Sequence, residues 1–276
     1  MEQSKSQTKI GCCCPSGSEP ALKSDYIPKG KIEDVDGLPI YYIGQGEKAI
    51  IFVYDIFGFD SGRTKQMCDE LAAEGYLVIL PDFFRHDGWK SSDMEGFFGF
   101  FRLVSRFLKS PSWEQGSEDF NKRIYPFLEK KGVKKIGMLG TCWGSYYVFK
   151  ASAEGKISAG ANFHPSLRRK KETPEELARA QKCPQMMLLG SNDPANIKEG
   201  SEVEKILHGK FGKVALFKTF GEMKHGWVVR GDISKANVAR DYRIAMDMAI
   251  DFFQENFITL FCSCELSIEK FIIFLF

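Results

Sequence analysis

The segment Lys135-Ile136-Gly137-Met138-Leu139-Gly140-Thr141-Cys142-Trp143-Gly144-Ser145-Tyr146-Tyr147 limits what this chain can fold into more than any other stretch. An apolar run that reads as a strand passes directly into a helical pattern through Gly-x-Cys-x-Gly, so the chain must reverse within the motif itself. Glycine is needed on both sides because a Cβ at either position would collide with the adjoining strand or helix. Cys142 is thereby pushed into a strained backbone conformation, with its side chain expected to stand exposed at the edge of a sheet. The following helix turns its positive end and its unpaired N–H groups toward the sulfur, which favours a thiolate over the thiol.

The rest of the chain supplies the sheet that such a turn needs. Strand-like runs at Ala49 to Tyr54, Leu77 to Leu80, Lys135 to Leu139, Ala159 to Phe163, Gln185 to Leu189 and Val214 to Phe220 alternate with helical patterns, which predicts a parallel sheet covered on both faces. Ahead of them, Ile32 to Val35 and Leu38 to Ile43 flank Asp36-Gly37, a dipeptide suited to a tight turn, so the first two strands are expected to be antiparallel. Helices are expected near Arg63 to Glu74, Asp119 to Lys131, Ser145 to Ala153, Glu199 to His208 and Ile233 to Asn256, and a phenylalanine-rich one near Met94 to Leu108. The plan is an α/β fold: a mostly parallel eight-stranded sheet opened by an antiparallel hairpin.

Composition excludes several classes. Net charge is +2, from 38 basic and 36 acidic residues that are interspersed, which leaves no basic stripe for nucleic acid. The run Arg168-Arg169-Lys170-Lys171 precedes acidic residues and reads as a solvated loop and helix start. Eight cysteines, with Cys68 and Cys142 inside regular elements and no signal peptide ahead of them, fit a reducing cytoplasm better than a disulfide framework. The triplet Cys12-Cys13-Cys14 lacks a neighbouring His, a second Cys pair or an amphipathic helix, so neither metal binding nor palmitoylation is assigned to it. The apolar end from Phe257 to Phe276 is interrupted by Glu265, Glu269 and Lys270, too charged for a stable membrane span. The expected division is an N-terminal extension at 1–29, one domain at 30–257 and an atypical C-terminal extension at 258–276.

A thiol nucleophile calls for a base and an orienting acid, and in strand-to-helix elbows of this type the chain order is nucleophile, acid, histidine. Of four histidines, His86 precedes Cys142, His208 sits in an amphipathic helix and His164 precedes any suitable acid. His225, in Gly221-Glu222-Met223-Lys224-His225-Gly226-Trp227 after the last strand, satisfies order and place, and His164 is expected to line the pocket. Asp193, at the end of Gln185-Met186-Met187-Leu188-Leu189-Gly190-Ser191-Asn192-Asp193-Pro194, is the expected acid. The Trp143 N–H would face the oxyanion of a tetrahedral intermediate.

With these residues in hand, the sequence resembles the dienelactone hydrolase family over most of residues 30 to 257. The matching motifs are Asp55-Ile56-Phe57-Gly58, Pro81-Asp82-Phe83-Phe84, the Gly140-Thr141-Cys142-Trp143-Gly144 elbow, Asn192-Asp193 and His225-Gly226-Trp227. The resemblance implies an α/β-hydrolase fold, a triad of Cys142, Asp193 and His225, and an oxyanion hole from the backbone N–H groups of Ile56 and Trp143. It also implies that Arg85 and Arg230 lie near positions that hold a substrate carboxylate. Bacterial members carry Glu where this chain has Asp55, and that carboxylate takes part in activating the thiol. Aspartate is one methylene shorter, which leaves its reach to Cys142 open.

The expected activity is hydrolysis of a lactone or other small carboxylic ester through a transient thioester, with no metal or organic cofactor, in a monomer or homodimer. The rival expectation is a catalytically silent binding or scaffold protein on the same fold.

Overall fold

The computed structural model describes residues 14–85, 111–167 and 172–257. Asp36 and Gly37 both take positive φ, 50° and 77°, as a two-residue hairpin turn requires. They join β1 (Lys31–Val35) to β2 (Leu38–Ile43) in an antiparallel register that pairs Val35 with Leu38.

The remaining strands are β3 (Lys48–Val53), β4 (Leu77–Pro81), β5 (Lys135–Thr141), β6 (Ala159–Phe163), β7 (Gln185–Gly190) and β8 (Leu216–Phe220). The eight form one sheet in the order β1-β2-β4-β3-β5-β6-β7-β8, antiparallel at β1-β2 and β2-β4 and parallel elsewhere. Strands covered on both faces have no wet side to mark with polar residues, and so Ala49 to Val53 and Met186 to Leu189 are continuous apolar runs, fully buried. The elbow strand β5 lies between β3 and β6, in the interior of the sheet.

Helices follow the strands as α1 (Thr64–Ala73), α2 (Trp113–Asp119), α3 (Tyr125–Lys130), α4 (Gly144–Ala153), α5 (Pro174–Ala180), α6 (Glu202–Phe211), α7 (Trp227–Arg230) and α8 (Ala236–Asn256). A π-helical turn at Phe120–Ile124 joins α2 to α3, so the single helix expected from Asp119 is a longer, interrupted one. Two short helices escaped the periodicity, α5 and α7. The first carries a full capping box, Thr173 with Glu176, ahead of Pro174. The helix expected from Glu199 begins later, where Ser201 caps it. The strand expected from Val214 likewise starts at Leu216, because Gly212–Val214 forms a 3-10 turn. The phenylalanine-rich segment, His86, the Arg168 to Lys171 run, Cys12, Cys13 and the 258–276 extension lie outside the described residues.

The part of the N-terminal extension that is described, from Cys14 onward, packs on the domain. Gly62 donates its N–H to Leu22 O at 2.9 Å, and the Tyr26 hydroxyl and the Lys29 N–H both reach Asp69 at 2.8 Å. Among the described residues, no helix is long and apolar enough to cross a membrane.

Candidate active site

The elbow follows the steric logic of its glycines. A Cβ on Gly144 would lie 2.1 Å from Val53 O, and one on Gly140 would lie 2.7 Å from the Gly144 carbonyl carbon and the Ser145 nitrogen. Cys142 between them has φ 48°, a region that non-glycine residues occupy at a cost. Hydrogen bonds hold it there: its N–H donates to Phe163 O at 3.1 Å, and its carbonyl accepts from Ser166 N at 3.0 Å and Ser145 N at 3.2 Å. The side chain is not exposed, as the elbow alone would have it, but completely buried. The cover includes the N-terminal segment, whose Cys14 Sγ stands 3.7 Å from Cys142 Sγ.

His225 reaches the same point from the loop after β8. Gly190 makes the approach feasible, since a Cβ there would lie 3.0 Å from the His225 nitrogen. The Asn192 side chain accepts the His225 N–H at 2.6 Å, while Gly226, at φ 93°, turns the chain into α7. Beneath α7 the buried Arg63 donates to the carbonyls of Trp227 and Val228, each at 3.1 Å. These supports of the histidine loop carry no motif that sequence reasoning could isolate.

The imidazole Nδ1 is 2.6 Å from Asp193 Oδ1, and the other carboxylate oxygen of Asp193 accepts from Gly190 N at 2.6 Å. The carboxylate therefore fixes the ring through Nδ1, while Nε2 is buried with no hydrogen-bond partner among the described residues. One ligating atom each of Cys14, Cys142 and His225 lie within 4.8 Å of one another. Burial, the largest single influence on His225, favours the neutral ring. Negative charge on Cys142 and Cys14, together with the Asp193 hydrogen bond, outweighs it and holds the His225 pKa well above the usual histidine range.

His164 stands beside this group, at the end of β6. Its ring meets that of His225 edge to face at 4.9 Å, and it takes φ 39°. Burial, and then the charge of His225, push its pKa well below the ordinary value. Neither of its buried nitrogens has a hydrogen-bond partner among the described residues.

The oxyanion pair is expected at Ile56, which follows β3, and at Trp143, within the elbow. Both residues are buried, and the Trp143 ring is packed by Tyr54 and Tyr147 at centroid separations of 6.2 and 4.5 Å. The arginines are engaged differently from expectation. Arg85 pairs with Asp119 at 2.8 Å, and among the described residues none of its contacts is with Cys142, His225 or Asp193. Arg230 is fully buried, forms an ion pair with Asp55, donates to Glu19 O at 3.1 Å and lies over the Phe57 ring. Asp55 also accepts from Phe57 N at 2.9 Å. The short carboxylate of Asp55 is thus paired with Arg230 through one terminal nitrogen of the guanidinium. Partners 175 positions apart in sequence gave no signal of this pairing.

The sheet order and a buried cysteine elbow facing a histidine loop define an α/β hydrolase. Solved structures agree on the fold: a putative dienelactone hydrolase from Klebsiella pneumoniae aligns with TM-score 0.57 at 19% identity, covering 86% of this chain and 97% of that one. An acylaminoacyl peptidase aligns with TM-score 0.57 at 18% identity, covering 82% of this chain and 41% of that one. Residues 40–257 match the dienelactone hydrolase family, and the chain is a hydrolase belonging to it. Among curated relatives, hydrolase tropI of Talaromyces stipitatus is 24% identical over 88% of this chain and 95% of its own length. A carboxymethylenebutenolidase homolog of Xenopus tropicalis is 29% identical over 56% of this chain and 63% of its own.

Proposed function

We propose that the protein hydrolyses a lactone or other small carboxylic ester with Cys142 as nucleophile, His225 as base and acid, and Asp193 as the group that orients His225. The observation that carries this reading is a cysteine strained at φ 48° within reach of a histidine whose far nitrogen is held by a carboxylate at 2.6 Å.

The chemistry proceeds in two halves. The Cys142 sulfur, its proton on His225 Nε2, attacks the carbonyl carbon and forms a tetrahedral oxyanion beside the backbone N–H groups of Ile56 and Trp143. Collapse breaks the carbon–oxygen bond of the ester, and the departing alkoxide takes the proton from the imidazolium. A thioester remains, with the alcohol still tethered to the acyl chain if the substrate was a lactone. Water then gives a proton to His225 and attacks the thioester carbon. The thiolate leaves, and the acid is released.

The names of relatives are consistent with this class, since several are carboxymethylenebutenolidase homologs.

The test is turnover of an activated aryl ester by wild type and Cys142→Ala, with circular dichroism to verify folding. Loss of a nucleophile is expected to cost at least about a thousandfold in kcat, and mass spectrometry of the wild type mixed with a slow ester should find the acyl group on Cys142. A folded Cys142→Ala protein that keeps full turnover would overturn the assignment.

A further inference from the structure

We propose that Cys14, Cys142 and His225 together form a binding site for one thiophilic divalent metal ion, zinc(II) above all, and that the ion reversibly silences the hydrolase.

The donor set suits such an ion. Two sulfurs and an imidazole nitrogen within 4.8 Å of one another are the ligand types zinc prefers. In a tetrahedral site with Zn–S bonds of about 2.3 Å, two sulfurs stand roughly 3.8 Å apart. The observed 3.7 Å needs almost no movement. It is far from the roughly 2.05 Å of a disulfide.

The surroundings are those of a prepared ligand. Asp193 holds His225 Nδ1 at 2.6 Å, which aims the Nε2 lone pair and raises its basicity, as carboxylates behind metal-bound histidines do. The three donors leave the fourth position of a tetrahedral ion open, and the ring of His164 borders the site at 4.9 Å from that of His225.

Cys14 is not on a loose tail either. Asn192 Nδ2 donates to Ser16 O at 3.0 Å, Glu19 N donates to the carbonyl of His225 itself at 2.8 Å, and Arg230 Nε donates to Glu19 O. The segment is fastened to the same loops that carry Asn192 and His225. Its cysteine joins the site from 128 positions away, which is why the triplet lacked a histidine in sequence but has one in space.

Binding is a proton exchange without redox chemistry. Cys14 gives up its thiol proton, and the one proton carried by either Cys142 or His225 leaves as well, so two protons leave as one ion enters. The sulfur's nucleophilic electron pair and the imidazole's basic one are then both tied to the metal. Silencing rests on the reading of Cys142 as nucleophile and His225 as base, whereas metal binding does not.

The experiment therefore reads binding and turnover separately on the reduced full-length protein. Cobalt(II) titration of wild type should give thiolate-to-cobalt charge transfer and the visible bands of a tetrahedral site, saturating at one ion and displaced by zinc(II). Cys14→Ser and His225→Asn should each lose the charge-transfer band or weaken binding at least about tenfold, and Cys12→Ser with Cys13→Ser should keep it. One equivalent of zinc should lower wild-type ester turnover at least tenfold, reversed by a chelator, and should lower that of Cys14→Ser less than twofold relative to its own metal-free rate. Absence of the band in wild type, its persistence in Cys14→Ser at wild-type affinity, or equal inhibition of both proteins would overturn the proposal. Should the reading of Cys142 as nucleophile fail instead, Cys142→Ala would keep its turnover while the wild-type spectrum still formed.

Discussion

Two imidazoles lie edge to face at the carboxyl end of the sheet, both completely buried, and they are driven in opposite directions. His225 has a carboxylate behind it and sulfurs in front, and its pKa is raised despite burial. His164 has no such carboxylate among the described residues, and burial together with the charge of His225 outweighs the opposing influence of Cys14 and keeps it neutral. A few ångströms therefore separate a ring whose charged form is favoured from one whose neutral form is. The difference lies in the loops: Asp193 follows β7 and faces the loop after β8, but no carboxylate pairs with the end of β6 among the described residues. Burial alone does not decide the charge of a histidine; the groups around its ring do.

The comparison breaks most easily at the proton carrier. His225→Asn is expected to lower kcat/KM for an aryl ester by about a hundredfold to ten thousandfold, the usual worth of a positioned acid and base. Asp193→Asn should fall in the same direction, and the double variant should lose little more than His225→Asn alone, because the residues act as one unit. Steady-state kinetics of the three proteins settles the point. If His164→Asn were to lose as much as His225→Asn, the division of labour between the two rings would be wrong.

A smaller effect should appear in the pH dependence of thiol labelling. With a histidine raised by the negative sulfur beside it, Cys142 is expected to react with iodoacetamide below pH 7, where an ordinary thiol of pKa about 8.5 is almost wholly protonated. In His225→Asn the rate should fall at least about tenfold at pH 6.5 and recover as pH rises through the ordinary thiol range. Peptide mapping can assign the label, since burial raises the thiols of Cys68 and Cys183, the latter to about 11, and keeps them slow. Identical profiles for the two proteins would remove the pairing of Cys142 with His225.

How much of this was legible in the sequence depended on the range of each cause. Gly140 and Gly144 announce the elbow because their constraint is local, a collision with the next strand or helix. Asp36-Gly37 announces the hairpin for the same reason. His225 and Asp193 could be chosen because chain order restricts a triad on this fold, and the structure brings the two together at 2.6 Å. What could not be read were pairings between distant segments: Arg230 with Asp55, Arg85 with Asp119, Cys14 with Cys142. Each partner alone looks like an ordinary residue. Nothing near Arg230 in the chain shows the carboxylate it meets. The capping box at Thr173 was a local signal, and helix α5 could have been found from it.

The smallest expected effect concerns His164 and stability. Its folded pKa lies below the value near 6.5 of an unfolded histidine, so between the two the unfolded chain binds the extra proton. Stability is then complete above about pH 6.5 and is lost as pH falls, by at most about 1.4 kcal/mol per pH unit from this group. His164→Asn should flatten that acid limb in urea unfolding between pH 7 and 5. Asparagine is the replacement of choice because it tolerates the positive φ that His164 adopts. Its ester turnover should stay within about tenfold of wild type, or about 1.4 kcal/mol in activation free energy. An unchanged acid limb would mean that the ring is protonated or solvated in the folded protein, and the contrast with His225 would then rest on position alone.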